Sequence, residues 1–399
     1  MGCEKLYLQD SALFMCDAVV LSCAPRADGT FDVETDRTPF FPEGGGQLSD
    51  VGTMEGAHVL HCFEANGTVL HRTDAPVEPG KTVRLEIDRQ ARLIHTQQHT
   101  GEHLLSFAYA HLFGAENVGF HMAETFVTID LDRMLTDEQI AQGEAFANEM
   151  VWADRAVRIF TVDASELSEL PLRKKNEKLR GDVRIVEIEG GEMCTCCGTH
   201  FSHTAPVGLI KVLEHTRYKQ GCRVTFVCGT LALHWFVEEN RELRRTAAKL
   251  SVKVDGVYDA LLRREEQTAQ LHNVLREKNA QLADLYSAKL LTESILCKGY
   301  QLVIKMIPVD FETCKHIAEQ ACKANNLLTV LFCTEGDRCR YLCMASEDCP
   351  VSCRDAAQNI NRALGAKGGG NPKMTQGSFE NACDLEGKIA GLTEMLSAF

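Results

Sequence analysis

Residues 94–105 read Ile-His-Thr-Gln-Gln-His-Thr-Gly-Glu-His-Leu-Leu, and their pattern predicts a helix that carries candidate metal ligands. The histidines His95, His99 and His103 stand four residues apart, and residues at this spacing share one face of an α-helix. The spacing therefore predicts a helix over residues 89–113 that offers two imidazoles to one metal ion. A pair of histidines at this spacing is a weak signal by itself, so a second source of ligands is needed.

A second candidate source of ligands lies in residues 194–200, which read Cys-Thr-Cys-Cys-Gly-Thr-His. Cys196 and His200 are also four residues apart, and the Gly-Thr between them favours a turn where a thiolate and an imidazole converge. Two helix histidines plus this pair suit Zn²⁺, which takes nitrogen and sulfur ligands at about 2.0–2.3 Å. At this point Cys194 and Cys197 remain alternatives to Cys196, and His95 remains an alternative on the helix.

A glycine-rich stretch, residues 40–52, reads Phe-Phe-Pro-Glu-Gly-Gly-Gly-Gln-Leu-Ser-Asp-Val-Gly. Gly44, Gly45 and Gly46 allow the backbone to approach a ligand or another segment closely. From these residues alone a tight turn is the favoured interpretation. The HExxH, G-x-S-x-G and Walker A patterns are absent from the sequence, which argues against the usual zinc protease, a nucleophile elbow and a P-loop.

The composition is that of an ordinary folded protein with an acidic balance. The 399 residues include 42 Lys+Arg and 56 Asp+Glu, for a net charge of −14, so nucleic-acid binding cannot be argued from bulk charge. One local basic run stands out, and it contains Arg173, Lys174 and Lys175. The N-terminus lacks a signal-peptide pattern and no apolar run is long enough to span a membrane, so we expect a cytoplasmic protein whose 18 cysteines are mostly reduced.

Four regions follow from the patterns of apolar residues and turns, and together they predict a multidomain α+β protein. Residues 1–88 read as short strands of a small β-barrel. Residues 89–230 mix helices and strands, and a Thr136/Gln139 capping box predicts a helix over residues 136–153. Residues 231–297 predict a helical hairpin broken near residues 251–256. Residues 298–399 predict an α/β domain with a glycine-rich loop at residues 368–372 and a last helix.

Taken together, these motifs resemble those of alanyl-tRNA synthetase and of the free-standing alanyl-tRNA editing proteins of the AlaX family, above all its long form. Residues 41–47 resemble the family's barrel segment, residues 99–105 its first zinc motif and residues 196–200 its second. Residues 368–377 resemble part of the synthetase's DHH-associated domain. The resemblance covers nearly the whole chain, and it selects one set of residues for a single Zn²⁺ ion: His99, His103, Cys196 and His200. Whether His200 binds the ion itself or supports the other ligands is left open.

The resemblance implies hydrolysis of the aminoacyl ester of mischarged tRNA for alanine, bearing serine or, in some members, glycine. Because the chain begins at the barrel, we expect editing without aminoacylation. The expected partner is that tRNA, no membrane is expected, and a homodimer is left open. We expect catalytic roles for His121, Gln47 and Glu102, and substrate contacts from Gly44, Gly45, Gly46, Gln47, Arg173, Lys174 and Lys175.

Two departures and three alternatives accompany this prediction. Cys197 stands where the synthetase motif has glycine, and Glu102 stands where the synthetase helix has threonine. The first alternative is a non-catalytic zinc-containing module that binds tRNA. The second is an editing enzyme for another mischarged tRNA, such as that for threonine. The third is an oligomeric scaffold built on the helical hairpin.

Overall fold

The computed structural model describes residues 3–173, 179–336, 338–380 and 385–398. The chain divides into two compact units, Met1–Thr246 and Ala247–Phe399, and each combines helices with sheets. The predicted multidomain α+β class is confirmed. The finer division at residues 88, 230 and 297 stays a prediction. In the described part of the chain, every helix is too short or too polar to cross a membrane.

The first unit opens with a small closed barrel. The strands of this region are β1 (Glu4–Lys5), β2 (Met15–Pro25), β3 (Phe31–Thr35), β4 (Arg37–Thr38), β5 (Gly52–Met54), β6 (Ala57–Ala65), β7 (Thr68–Thr73) and β8 (Thr82–Ile87). The barrel closes in the order β2-β3-β7-β6-β5-β8. Exposed and buried side chains alternate along β8, as expected for a strand with one face on a core. Val33, Cys62 and Leu85 are fully buried in that core.

The rest of the first unit is a layered α+β region. Its elements up to residue 228 are α1 (Arg89–Phe113), β9 (Asn117–Met122), β10 (Val127–Leu131), α2 (Asp137–Trp152), β11 (Val157–Asp163), β12 (Asp182–Ile188), β13 (Met193–Thr195), β14 (Ile210–Tyr218) and β15 (Gly221–Cys228). One sheet has the order β14-β15-β10-β9 and another has the order β11-β12-β13. Both predicted helices are confirmed, and Thr136 and Gln139 form the predicted capping box.

Helix α1 positions the candidate site, so its ends and packing matter. It begins where the carboxylate of Asp88 accepts hydrogen bonds from two backbone N–H groups of the first turn, and it ends at Gly114, whose φ of 63° is left-handed. Midway along α1, a Cβ atom at Gly101 would overlap the thiol of Cys228 in β15. The glycine therefore lets α1 lie directly against the sheet, on the turn that follows His99.

Two long helices follow the sheet, as the apolar spacing predicts. They are α3 (Gly229–Leu250) and α4 (Val257–Thr292), and the interruption falls at the expected residues. The second unit continues with β16 (Ile295–Leu296), β17 (Gln301–Met306), α5 (Phe311–Ala321), β18 (Leu327–Glu335), β19 (Arg338–Ala345), α6 (Cys353–Leu364), β20 (Lys367–Gly370), β21 (Met374–Glu380) and α7 (Leu385–Ser397). Its strands form one sheet in the order β16-β17-β18-β19-β21-β20.

The glycine run of the second unit differs from its prediction as a loop. Residues 368–370 belong to the edge strand β20, which pairs with β21. A Cβ atom at Gly368 would overlap the carbonyl oxygen of Gln376, and one at Gly370 would overlap that of Met374. The glycines therefore serve close contact between two strands, which the composition of the run does not distinguish from a flexible loop.

Candidate metal centre

The two predicted ligand motifs meet in the first unit. His99 and His103 lie one turn apart on α1, while Cys196 and His200 lie in the segment that follows β13. One ligand atom from each of the four side chains lies within 4.8 Å of every other. His95 is on the same helix but is not part of this group. The structure thus brings together the four residues that the resemblance selects.

Two distances within the group are close to those expected around a tetrahedrally coordinated metal ion. Nε2 of His99 lies 3.2 Å from Sγ of Cys196, and Nε2 of His200 lies 3.3 Å from the same sulfur. Bonds of about 2.0–2.3 Å from a central zinc place neighbouring ligand atoms about 3.3–3.8 Å apart. Three imidazole nitrogens and one thiolate are also a donor set that zinc prefers. The buried His/Cys cluster can therefore hold a metal ion.

The electrostatics of the cluster favour the ligand form of Cys196. Burial by itself would raise the pKa of this thiol, but the charge of the His99 imidazole and the hydrogen bonds from His103 and His200 lower it by more, so the net pKa lies well below its ordinary value. Burial lowers the pKa of His200 to about 3, which keeps this imidazole neutral. A thiolate beside a neutral imidazole is the state that a metal ion requires.

A buried amide orients His99. Gln47 is fully buried, and its Oε1 accepts hydrogen bonds from Nδ1 of His99 at 2.7 Å and from the backbone N–H of Thr199 at 3.1 Å. Its Nε2 donates to Oγ1 of Thr199 at 3.0 Å. With Nδ1 engaged in this way, Nε2 of His99 points its lone pair at the cluster.

The turn that carries Cys196 is held from two sides. Nη1 of Arg184 donates to the carbonyl oxygens of Cys196 at 2.7 Å and of Gly198 at 3.1 Å. On the other side, a Cβ atom at Gly198 would lie 2.6 Å from Nδ1 of His99 and 2.8 Å from Oε1 of Gln47. Only glycine allows the turn to approach the helix this closely. The Gly-Thr of the motif therefore has a packing role as well as a turn role.

Glu102, predicted to be catalytic, is buried beside the cluster. Its Oε1 accepts hydrogen bonds from Ser106 at 2.6 Å and from Asn117 at 2.7 Å. Its Oε2 lies 3.7 Å from Nε2 of His103. The carboxylate is therefore held through one oxygen and turns the other toward the candidate ligands.

The glycine-rich stretch packs against strand β9 near His99. Gly45 and Gly46 have positive φ values of 60° and 88°, and the carbonyl oxygen of Gly46 accepts a hydrogen bond from the N–H of Met122 in β9. A Cβ atom at Gly46 would lie 2.8 Å from the carbonyl oxygen of Phe120. The stretch is thus a tight turn whose backbone is joined to β9.

On β9, the residue that contacts the cluster is Phe120. Its ring centroid lies 5.3 Å from that of His99. His121, for which the sequence analysis expects a catalytic role, follows it in the strand and is exposed. Successive side chains of a strand point to opposite faces, which accounts for the difference. A catalytic role for His121 stays a prediction.

The predicted tRNA-contacting residues have different surroundings. The guanidinium of Arg173 bonds to two carboxylates: Nη2 lies 2.8 Å from Oε1 of Glu192, and Nη1 lies 3.2 Å from Oε2 of Glu116. Its side chain is 16% exposed. Arg173 therefore has protein partners instead of an open surface position. Lys174 and Lys175 lie outside the described residues.

A second group of buried side chains adjoins the first. Sγ of Cys194 lies 3.3 Å from Nδ1 of His103, and Oε2 of Glu192 lies 3.9 Å from the same nitrogen. Burial raises the pKa of the Cys194 thiol to about 12, although His103 opposes this effect. Burial also raises the pKa of Glu192. Cys194 and Glu192 therefore both lie on the Nδ1 side of the His103 imidazole.

Sequence reasoning did not find the supporting residues Thr199, Phe120, Arg184 and Glu192. Thr199 lies inside the second motif, so its hydroxyl was visible as a hydrogen-bonding group beside a ligand. Phe120 lies next to His121, the residue that the sequence analysis favours. Arg184 and Glu192 carry no spacing signal, because their contacts depend on how β12 and β13 pair.

Comparisons with known proteins identify relatives along the chain. Residues 183–225 match the family model described as the threonyl and alanyl tRNA synthetase second additional domain. The chain is 28% identical over 388 residues to alanyl-tRNA editing protein AlaX-L of Pyrococcus horikoshii, with 94% of this chain and 95% of that protein covered. It is 30% identical over 279 residues to alanyl-tRNA editing protein Aarsd1 of Mus musculus, with 65% of this chain and 68% of that protein covered.

Longer proteins and solved structures are among the further matches. The alanine–tRNA ligase of Methanopyrus kandleri is 27% identical over 394 residues, which are 92% of this chain but 43% of the ligase. The crystal structure of the C-Ala domain from Aquifex aeolicus alanyl-tRNA synthetase covers 26% of this chain and 98% of that domain, with 16% identity and a TM-score of 0.25.

Proposed function

This chain belongs to the family of alanyl-tRNA editing proteins, and on that premise we propose that it hydrolyses the ester between a wrong amino acid and tRNA for alanine. The observation that carries the proposal is the buried group of His99, His103, Cys196 and His200, whose ligand atoms lie within 4.8 Å of one another. The two motifs that supply these residues are far apart in the sequence. Their convergence on one buried position is expected of a functional metal site.

Zinc is the ion that we propose for this group. When bound, it would act as a Lewis acid toward a carbonyl group or a water molecule. The protein residues prepare the site for it: Gln47 keeps the proton of His99 on Nδ1, and the low pKa of Cys196 supplies a thiolate. Oε2 of Glu102, which faces the cluster, is the group that we propose to accept a proton from the attacking water.

The proposed substrate is tRNA for alanine that carries serine, with glycine as a second substrate. Serine differs from alanine by one hydroxyl group. A site that hydrogen-bonds this hydroxyl discriminates against alanine, because its buried polar groups would otherwise be left without partners. The ring of Phe120 beside His99 supports a pocket of limited size, which suits a small amino acid.

Binding of the tRNA must come from local basic groups, since the net charge of the chain is −14. Contacts of Lys and Arg with phosphates release counterions, so the affinity should fall steeply as salt increases. An affinity that is equal at low and moderate salt would contradict this part of the proposal.

One observation favours a second candidate function, a non-catalytic metal-containing module that binds tRNA. The group offers four protein ligands, and a site closed by four protein ligands is typical of structural zinc. In an editing enzyme, by contrast, substrate or water needs an open position at the metal or a neighbouring group that reacts.

The deciding experiment measures deacylation of tRNA for alanine charged separately with serine, glycine and alanine. We expect hydrolysis of the serine ester, slower hydrolysis of the alanine ester, and a loss of about 100-fold or more in Cys196→Ala. Cys197→Ala is the matched control, because this neighbouring cysteine is exposed and lies outside the ligand group. Binding of the tRNA without hydrolysis would favour the non-catalytic module, and an active Cys196→Ala variant would exclude the metal site.

A further inference from the structure

A buried ion pair between Arg173 and Glu192 adjoins the candidate metal centre at His103. The side chain of Glu192 has no exposed surface, and its Oε1 accepts hydrogen bonds from Arg173, from Nε at 2.9 Å and from Nη2 at 2.8 Å. The backbone supports the same arrangement, since the N–H of Arg173 donates to the carbonyl oxygen of Met193 at 3.0 Å. One oxygen of the carboxylate is therefore fully engaged by the guanidinium.

The other oxygen of Glu192 faces the candidate metal ligands. Oε2 is buried and lacks a hydrogen-bond partner among the described residues. It lies 3.9 Å from Nδ1 of His103. A buried carboxylate oxygen without a partner is costly, so its position beside an imidazole nitrogen calls for a function.

We propose that Glu192 is a positioning residue for His103, and that Arg173 holds Glu192 in place for this purpose. The carboxylate favours the tautomer of His103 with its proton on Nδ1, which leaves Nε2 free to bind the ion. Its negative charge also offsets part of the charge that a divalent ion brings into a buried site. Carboxylate partners of this kind orient metal-binding histidines in general. The inference rests on the metal site of the proposed function.

The same geometry explains why His99 and His103 have different supports. His99 is oriented by the neutral amide of Gln47 at 2.7 Å, and on this proposal His103 is oriented by the carboxylate of Glu192 at 3.9 Å. Cys194 is the competing partner of His103, because its sulfur lies 3.3 Å from Nδ1. The carboxylate is favoured because it carries a negative charge and one of its oxygens lacks another partner.

A second metal ion held by His103, Glu192 and Cys194 is the competing interpretation, since their ligand atoms also lie within 4.8 Å of one another. The guanidinium of Arg173, 2.8 Å from Oε1 of Glu192, opposes another cation at this position. We therefore favour one ion and a positioning role for Glu192.

The test measures zinc content and zinc affinity of the full-length protein by competition with a chromogenic chelator. We expect one zinc per wild-type chain and an affinity that is about 10–100-fold weaker in Glu192→Gln. Glu192→Asp, which keeps the charge, should recover part of the affinity. Glu116→Gln is the matched control: Glu116 bonds to the same guanidinium from a more exposed position, 46% accessible, so its loss should leave the affinity within about twofold.

Three results would overturn the inference in distinguishable ways. Wild-type affinity in Glu192→Gln, or equal losses in Glu192→Gln and Glu116→Gln, would remove the positioning role and leave the metal site intact. Two zinc ions per wild-type chain and one in Glu192→Gln would establish the second ion instead. A wild-type protein that binds no zinc would overturn the metal site itself. If Glu192→Gln fails to fold, the double variant Arg173→Gln/Glu192→Gln removes both charges together, and the same loss of affinity is expected.

Discussion

Nδ1 of His99 donates a hydrogen bond to Oε1 of Gln47 across 2.7 Å, although the two residues are 52 positions apart in the sequence. The orientation of the amide is set by Thr199, whose backbone N–H donates to the same Oε1 and whose hydroxyl faces Nε2. The glycine-rich turn of the barrel therefore acts on the metal centre through one amide. This relationship joins the glycine-rich stretch to the two motifs that carry the candidate ligands.

Replacing Gln47 by leucine should weaken the metal site more than it weakens the fold. The substitution removes the acceptor that keeps the proton of His99 on Nδ1, so zinc affinity should fall about 10–100-fold. Gln98→Leu is the matched control, because Gln98 is a buried amide on α1 whose hydrogen bonds, among the described residues, go to the backbone of Cys228. A chelator titration of both variants, with thermal unfolding of each, would show the difference. Equal affinity in the two variants would contradict the role of Gln47.

Replacing Gly198 by alanine should disable the site without requiring an unfavourable φ value. The added Cβ atom would lie 2.6 Å from Nδ1 of His99 and 2.8 Å from Oε1 of Gln47, so the imidazole or the turn must move. Displacement of a reacting geometry by about 1 Å costs about 100-fold in rate. Gly256→Ala controls for the substitution itself, because its Cβ atom would meet only Val252 at 3.7 Å. Deacylation rates and zinc content measure the effect, and wild-type values in Gly198→Ala would contradict it.

The sequence predicts the parts of the site that depend on spacing within one element. His99 and His103 lie on one face of α1 because residues four apart must do so, and Cys196 and His200 converge because a Gly-Thr turn separates them. The geometry within each motif therefore agrees with the prediction from its spacing. The meeting of the two motifs depends on packing between distant segments, which spacing alone does not specify.

The sequence does not predict contacts that depend on strand register or burial. Whether Phe120 or His121 contacts the metal centre depends on which face of β9 turns toward α1. A shift of one residue in the register of the strand would exchange the two side chains. Arg173 belongs to a basic run, but its ion pair with Glu192 forms only when Arg173 itself packs beside β13. The sequence therefore shows the charge of Arg173 without showing its partner.

Replacing Arg92 by methionine should destabilise the first unit strongly. Arg92 forms a buried ion pair with Asp50 and also donates to the carbonyl oxygens of Ser11 and Pro39, both at 2.7 Å, so α1 is tied to the barrel through one guanidinium. Breaking a buried pair leaves an uncompensated carboxylate and costs about 3–5 kcal/mol. Urea unfolding of the variant should show this loss.

The control for Arg92 is an ion pair that is more exposed. Arg223 bonds to Asp130 at 2.7 Å, with its side chain 37% accessible. Arg223→Met should therefore cost no more than about 1 kcal/mol, because solvent screens the pair. Similar losses in Arg92→Met and Arg223→Met would show that burial does not govern the contribution of these pairs.

The buried histidine of the barrel should make the stability of the first unit fall in mild acid. His71 hydrogen-bonds through Nε2 with the hydroxyl of Thr38 at 2.7 Å and donates from Nδ1 to the carbonyl oxygen of Val33 at 3.1 Å. Burial lowers the pKa of His71 from 6.5 to about 4, although the bond to Val33 opposes this. Below pH 6.5 the unfolded chain binds a proton that the folded chain does not, so the free energy of unfolding decreases as the pH falls toward 4.

Between pH 7 and pH 5, titration of this histidine should lower the free energy of unfolding by about 2 kcal/mol. Well above pH 7 it should no longer change the slope of that free energy against pH. His71→Gln lacks the titrating group, so its free energy of unfolding should vary less with pH over this interval than that of the wild type. His58→Gln, at an exposed position of the same barrel, should keep the wild-type slope. Urea unfolding of the three proteins at pH 7, 6 and 5 makes the comparison. If His71→Gln kept the full wild-type slope, protonation of His71 would not be the cause of the acid sensitivity.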